Sequence, residues 1–295
     1  MPRNPYLPQR KRPRLLQSWV LYADNLGWGA DTRAAFRDGA EQAFLERRLA
    51  AIQDDVQAIR DAASNTDFWT GIGFPAPALD AYSVKVFTDN LLIGYPWRPP
   101  DHDGESELGS LLGLIATYQT RAVLDRRLIR GAIAAGRHFM SDDMVFGDAL
   151  LDAVKYEEKG VHVPAIAIHD SATRAVARIN EAYNPAAGGA FDEFVWYDSE
   201  ACMFFVNYLC SLELHHTWSN KAAAALAEHR AIITSGLMNS DANVRSKYIW
   251  MQRYHNEYIT ELIGEESGTN ASVLENLLLQ PSPSRRTMRP IMIRK

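Results

Sequence analysis

Cysteine is scarce: only Cys202 and Cys210 occur, both in one apolar stretch. No CxxC spacing links them, which sets aside a redox pair or a zinc knuckle and reads both as buried thiols. No apolar run reaches the roughly 18 residues that cross a bilayer, so no membrane is expected. The N-terminus, MPRNPYLPQRKRPR, lacks the apolar core of a signal peptide. A cytoplasmic protein is expected from that. A basic excess is missing as well; the formal net charge of −5 argues against DNA as a partner. No internal repeat and no heptad run occur. What remains is an ordinary balance of 47% apolar and 23% charged residues over 295 positions, enough for one large domain or two small ones.

The apolar, β-prone run LLQSWVLYAD (15–24) reads as a buried strand. Gly27 and Gly29 break it, with Asp31 or Thr32 as helix cap. Phe36, Ala40 and Phe44, then Ile52 and Val56, recur at helical spacing up to about residue 63. Residues 64–80, with Gly71, Gly73, Pro75 and Pro77, read as a loop. YSVKVFTDNLLIGYP (82–96) is a hairpin with Asp89-Asn90 at its junction. A helix over 108–124, a strand over 128–139, a helix over 148–158, a strand over 161–168 and a helix over 170–183 follow. The order βααββαβαβ predicts an α+β fold, an antiparallel-rich sheet with helices on one face. Beyond residue 190 come two aromatic strand-like pieces and helices over 219–236 and 242–264. Residues 1–14 read as a basic flexible tail and 266–295 as a second flexible tail.

Two carboxylates stand at strand ends. Asp24 closes the first strand before a glycine-bearing turn, and Asp89 sits at the hairpin tip. Each alone is an ordinary turn or cap residue. Together they suit Mg²⁺ or Mn²⁺, hard cations that share oxygen ligands with substrate phosphates. His255 and the His215-His216 pair have no metal spacing and read as structural or surface residues.

Four segments in order resemble the class III nucleotidyl cyclases. YADNLGW (22–28) resembles the first metal motif, and VKVFTDNLLIGYP (84–96) the hairpin carrying the second. LIRGAIAAG (128–136) resembles the strand before the ribose-binding segment, and VFGDALLDAVKYE (145–157) the helix that closes the site. The resemblance covers about residues 15–180. It implies a ferredoxin-like cyclase sandwich over 15–185, followed by a mostly helical C-terminal extension over 186–265. It also implies two Mn²⁺ or Mg²⁺ ions on Asp24, Asp89 and the backbone carbonyl of Asn25. Asn25, Leu26, Gly27 and Trp28 would bind the triphosphate through their amides. Lys85 would contact the base; its other reading is a strand lysine with its head in solvent.

The pattern departs from the family in the closing helix, where an Asn and an Arg are usual. Leu151 and Lys155 stand there instead. Lys155 keeps a positive charge without the arginine fork, whereas Leu151 cannot hydrogen-bond a ribose. Asp142 and Asp143 lie near, but displaced from, the position of an adenine-contacting aspartate. This divergence is similar to that of the stand-alone pyrimidine cyclases of bacterial anti-phage systems, the Pycsar cyclases. That resemblance implies UTP as substrate, cyclic UMP as product, a homodimer with interfacial sites, and an effector that reads the product. Cytidylate, adenylate or guanylate cyclases and a non-catalytic nucleotide-binding module are the alternatives.

Overall fold

A computed structural model describes residues 4–7, 12–71, 74–97, 103–180, 191–214, 220–265, 273–280 and 287–290. In chain order the elements are β1 (Leu16–Asn25), α1 (Trp28–Arg37), α2 (Glu41–Ser64), α3 (Thr66–Gly71), β2 (Ser83–Phe87), β3 (Asn90–Pro96) and α4 (Glu105–Leu124). Next come β4 (Ile129–Met140), β5 (Val145–Gly147), α5 (Asp148–Gly160), β6 (Ile166–Ile168) and α6 (Asp170–Asn180). The C-terminal part holds β7 (Val195–Asp198), β8 (Met203–Val206), α7 (Ser211–Leu214), α8 (Asn220–Leu237), α9 (Ala242–Glu265) and β9 (Met288–Pro290). His215 and His216 lie outside the described residues.

The described strands form one mixed sheet of order β2-β3-β1-β4-β6-β8-β7-β9, with β5 folded back onto the end of β4. β1 is central and antiparallel to both neighbours, with Asp24 opposite Asn90 on one side and Arg130 on the other. The pairing of β4 with β6 is parallel. Alternation along β1 sends Trp19, Leu21 and Ala23 into the main core with Leu111 and Ile115 of α4 and Ile59 of α2. Trp19 stacks on Trp97 at 4.6 Å and its indole N–H donates to the Gly104 carbonyl at 2.8 Å.

Helices were expected on one face, but they cover both. Val20, Tyr22 and Asp24 point to the second face, where Ala149 and Ala153 of α5 pack against a surface that includes Ala132 and Ala134. The alanine and glycine run of β4 admits the helix closely. A Cβ on Gly136 would lie 2.6 Å from the Asp148 carboxylate. Hydropathy marks those residues as strand, and only their small size marks the second face as occupied.

Parts of both terminal segments are fixed to the sheet, where flexible tails were expected. Tyr6 is fully buried, its hydroxyl donating to Ser18 Oγ at 3.0 Å and its ring meeting His138 edge-on. Asn4 Nδ2 donates to the Met140 carbonyl at 2.9 Å. At the other end β9 pairs with β7, and Met288 is buried. The C-terminal extension therefore continues the sheet as well as adding helices. Of the two thiols only Cys210 is buried. Cys202 is exposed in the β7–β8 turn with φ of 50°, where a tight left-handed turn projects it outward.

Asp198 clamps α9 to that turn. Fully buried, it accepts from the backbone N–H of Glu200 and Ala201, from Trp250 Nε1 at 2.9 Å and from Arg253 Nη2 at 2.6 Å. Removing one member of a buried charged network leaves the others unsatisfied. Asp198→Ala should cost roughly 3 kcal/mol of stability, read as a lower urea midpoint. A midpoint within error of the parent would show that the clamp is redundant.

Candidate functional site

The register of β1 against β3 puts Asn90 opposite Asp24, so Asp89, one residue earlier in the turn, arrives beside the Asp24 carboxylate. Asn25 fastens the turn: its backbone N–H and its Nδ2 both donate to the Asp89 carbonyl, at 3.3 and 3.0 Å. The two carboxyl groups reach hydrogen-bonding distance of each other. Burial, the hydrogen bond and charge of Asp89, and the charge of Glu157 push the Asp24 carboxyl up to about 7 against the opposing charge of Arg130. The Asp24 carboxyl thus keeps its proton up to near neutral pH.

Sequence reading missed the next layer. Arg130, directly opposite Asp24 on β4, brings Nη2 to 3.7 Å from Asp24 Oδ2 and to 2.5 Å from Glu157 Oε1. Glu157 is buried on α5, and burial raises its carboxyl pKa despite Arg130. From the extension, α9 carries Lys247 into the field of Arg130 and Asp24. Burial first, then Arg130, lowers its ammonium below the usual lysine range. Tyr22, two residues before Asp24 on the same face, is pushed up to about 12 by burial and then by the charges of Glu157, Asp24 and Asp89. A signal was present: Arg130 interrupts an apolar strand, and Glu157 continues the Ala149–Ala153 stripe at helical spacing.

The other expected site residues are spread more widely. The N–H groups of Asn25 and Leu26 are already engaged, by Asp89 and by the Leu128 carbonyl at 2.8 Å, so they cannot serve a triphosphate. Gly27, with φ of 95°, turns the chain into α1, leaving the helix's opening N–H groups at the turn. Helix α1 therefore starts at Trp28, not after Asp31 or Thr32. The Trp28 ring packs toward α2, edge-on to Phe44 and 4.4 Å under the Arg48 guanidinium.

The head of Lys85 is not free in solvent. Its ammonium donates to the carbonyls of Ser141 and Asp142 at 3.3 and 2.6 Å, tying the β2–β3 hairpin to the β4–β5 turn. Lys155 lies on the outward face of α5 with Leu151, which is 70% exposed. The charges that act most strongly on the Asp24 carboxyl are those of Asp89, Glu157 and Arg130, and Lys155 is not among them.

The donor set fits a hard divalent cation: two carboxylates converge, and the cation would displace the proton that Asp24 holds. Among the described residues no group of three or more His, Cys, Asp or Glu forms a metal cluster. Water and phosphate oxygens would complete the coordination, as is usual for Mg²⁺.

A solved structure of a class III adenylyl cyclase-like ATP-binding protein from Pseudomonas aeruginosa is similar to this chain at 13% sequence identity and a TM-score of 0.33. The match covers 60% of this chain and 41% of that one, so the chain spans less than half the length of that protein. No protein-family model matches the chain, and no curated protein does. No helix among the described residues is long and apolar enough to cross a membrane.

Proposed function

We propose that this protein is a nucleotidyl cyclase that converts UTP to 3′,5′-cyclic UMP and pyrophosphate, as a second messenger in bacterial anti-phage defence. The observation that carries the reading is the Asp24–Asp89 pair, brought together beside a glycine turn that opens a helix. Asp24 and Asp89 would hold two Mn²⁺ or Mg²⁺ ions, whose Lewis acidity would act on the ribose 3′-hydroxyl and the phosphates. The chain's part is positioning and charge. The opening N–H groups of α1 face the phosphates, while Arg130 and Lys247 offset their negative charge. The bond from the 3′-oxygen to the α-phosphorus forms, the bond to the pyrophosphate oxygen breaks, and the 3′ proton leaves to solvent.

The closing helix acts on a second copy of the chain. Leu151, Phe146 and Met144 are 70, 59 and 52% exposed, and Lys155 shares the Leu151 face of α5. A homodimer would cover these apolar groups and bring Lys155 of each protomer to the other's phosphates. Uracil, the anti-phage role and the downstream effector rest on the resemblance to the Pycsar cyclases. CTP, ATP and GTP are the alternative substrates. The Asp24–Arg130 ion pair favours a second reading, a module that binds nucleotide without turnover, because an internal cation competes with a metal.

The full chain incubated with Mn²⁺ and each of the four ribonucleoside triphosphates should give cyclic UMP from UTP, resolved by chromatography. Cyclic product from ATP alone would overturn the pyrimidine assignment. No cyclic product from any of the four would leave the binding module.

A further inference from the structure

We propose that Tyr22 and Asn90 are positioning residues that aim the Asp89 carboxylate at Asp24 for cation binding, an inference that rests on the metal site proposed above. Asp89 occupies a two-residue turn in which Thr88, a non-glycine residue, takes φ of 56°. A turn of this kind carries strain, and it persists only where its surroundings fix it. The Asp89 carbonyl is fixed by Asn25, but that leaves the carboxylate able to swing about its side-chain bonds.

The side chain of Asn90 supplies the missing restraint. Its Nδ2 donates to Asp89 Oδ1 at 3.3 Å and to Thr88 Oγ1 at 2.9 Å. A carboxamide can face either way, and what sets its direction is the group on its oxygen. Here that group is the Tyr22 hydroxyl, which donates to Asn90 Oδ1 at 2.6 Å. A phenol donor on Oδ1 obliges the NH₂ to face the turn, so Tyr22 sets the orientation of Asn90, and Asn90 that of Asp89. Tyr22 can do this because strand alternation puts it on the same face as Asp24, two residues away. One strand thus provides both a cation ligand and the anchor of the other ligand. Neither Tyr22 nor Asn90 would touch the cation.

Groups that orient metal ligands change affinity by roughly 10–100-fold when removed. Calorimetric titration of the full chain with MnCl₂ reads this directly. Tyr22→Phe and Asn90→Ala should each weaken Mn²⁺ binding about tenfold, and the double variant should lose little more than either alone, because the two act in series. With Mn²⁺ saturating, KM for the nucleoside triphosphate should stay within about twofold of the parent. Melting in EDTA separates a structural role: a drop in melting temperature with unchanged Mn²⁺ affinity would overturn the proposal. So would additive losses in the double variant. If the parent chain bound no Mn²⁺, the metal site itself would fall, and this inference with it.

Discussion

Asp89→Ala should reduce cyclic nucleotide formation by about a thousandfold or more while leaving the fold intact. That factor corresponds to roughly 4 kcal/mol of transition-state stabilisation, the scale expected when a metal ligand is lost. Stability should hardly move. The feature of Asp89 that shapes the turn is its backbone carbonyl, which accepts from Asn25 and remains in alanine. Removing the Asp89 charge also relieves Asp24, whose raised pKa owes its second-largest contribution to that neighbour. In EDTA the variant should therefore melt at or slightly above the parent temperature. Asp103→Ala, at a carboxylate that accepts from the backbone N–H of Glu105, is the matching control and should keep full turnover. The measurement is product formed per minute at saturating Mn²⁺. An Asp89→Ala chain that keeps a tenth of parental activity would remove Asp89 from the reaction.

The strands that carry this pair were legible because they are apolar runs closed by turn residues. β1 and the β2–β3 hairpin lie within a residue or two of their expected bounds. Register was not legible. Nothing in YADNLGW or VFTDN says that Asp24 faces Asn90 on one side and Arg130 on the other; the pairing of three strands decides it. The same long-range pairing uses the N–H groups of Asn25 and Leu26, and it makes Lys85 a latch on the Ser141 and Asp142 carbonyls. Lys247 was beyond reach for a different reason. It lies more than two hundred residues from Asp24 in sequence, on a helix whose own pattern reports only its packing face.

Lowering the pH from 7 to 5 should destabilise the metal-free protein. His138, His229 and His255 are all buried. Burial lowers His138 and His255 to about 4, against Asp148 in the first case and the Leu277 carbonyl in the second. Burial and then the neighbouring His255 lower His229 further. Hydrogen bonds explain why the His229 and His255 rings stay neutral. His255 Nε2–H donates to the Leu277 carbonyl at 3.1 Å, so its Nδ1 is an acceptor. His229 Nδ1–H donates to it at 3.0 Å, and His229 Nε2 accepts from the Tyr208 hydroxyl at 2.9 Å. A further proton on His255 Nδ1 would set two N–H donors face to face, and one on His229 Nε2 would oblige the Tyr208 hydroxyl to turn from donor to acceptor.

Histidines with depressed folded pKa values stabilise the protein above their unfolded value of about 6.5, and that stability drains as pH falls toward the folded value. Three such groups remove roughly 6 kcal/mol by pH 5. Asp24 acts with the opposite sign: its folded pKa is raised, so its contribution is complete below the unfolded carboxylate value and is lost as pH rises through about 7. Acidification therefore returns part of that loss through Asp24, and through Asp55 and Glu157, whose carboxyls burial also raises, so the net loss is smaller than the histidine contribution alone. Urea midpoints in EDTA at pH 7 and pH 5 measure the difference. His138→Leu separates the cause, because both ring nitrogens of His138 are buried with no partner among the described residues. That variant should gain about 1 kcal/mol at pH 7 and lose about a third of the histidine-driven acid sensitivity. Equal midpoints at the two pH values, or imidazole resonances of the three rings titrating near 6.5, would show that these histidines are solvated.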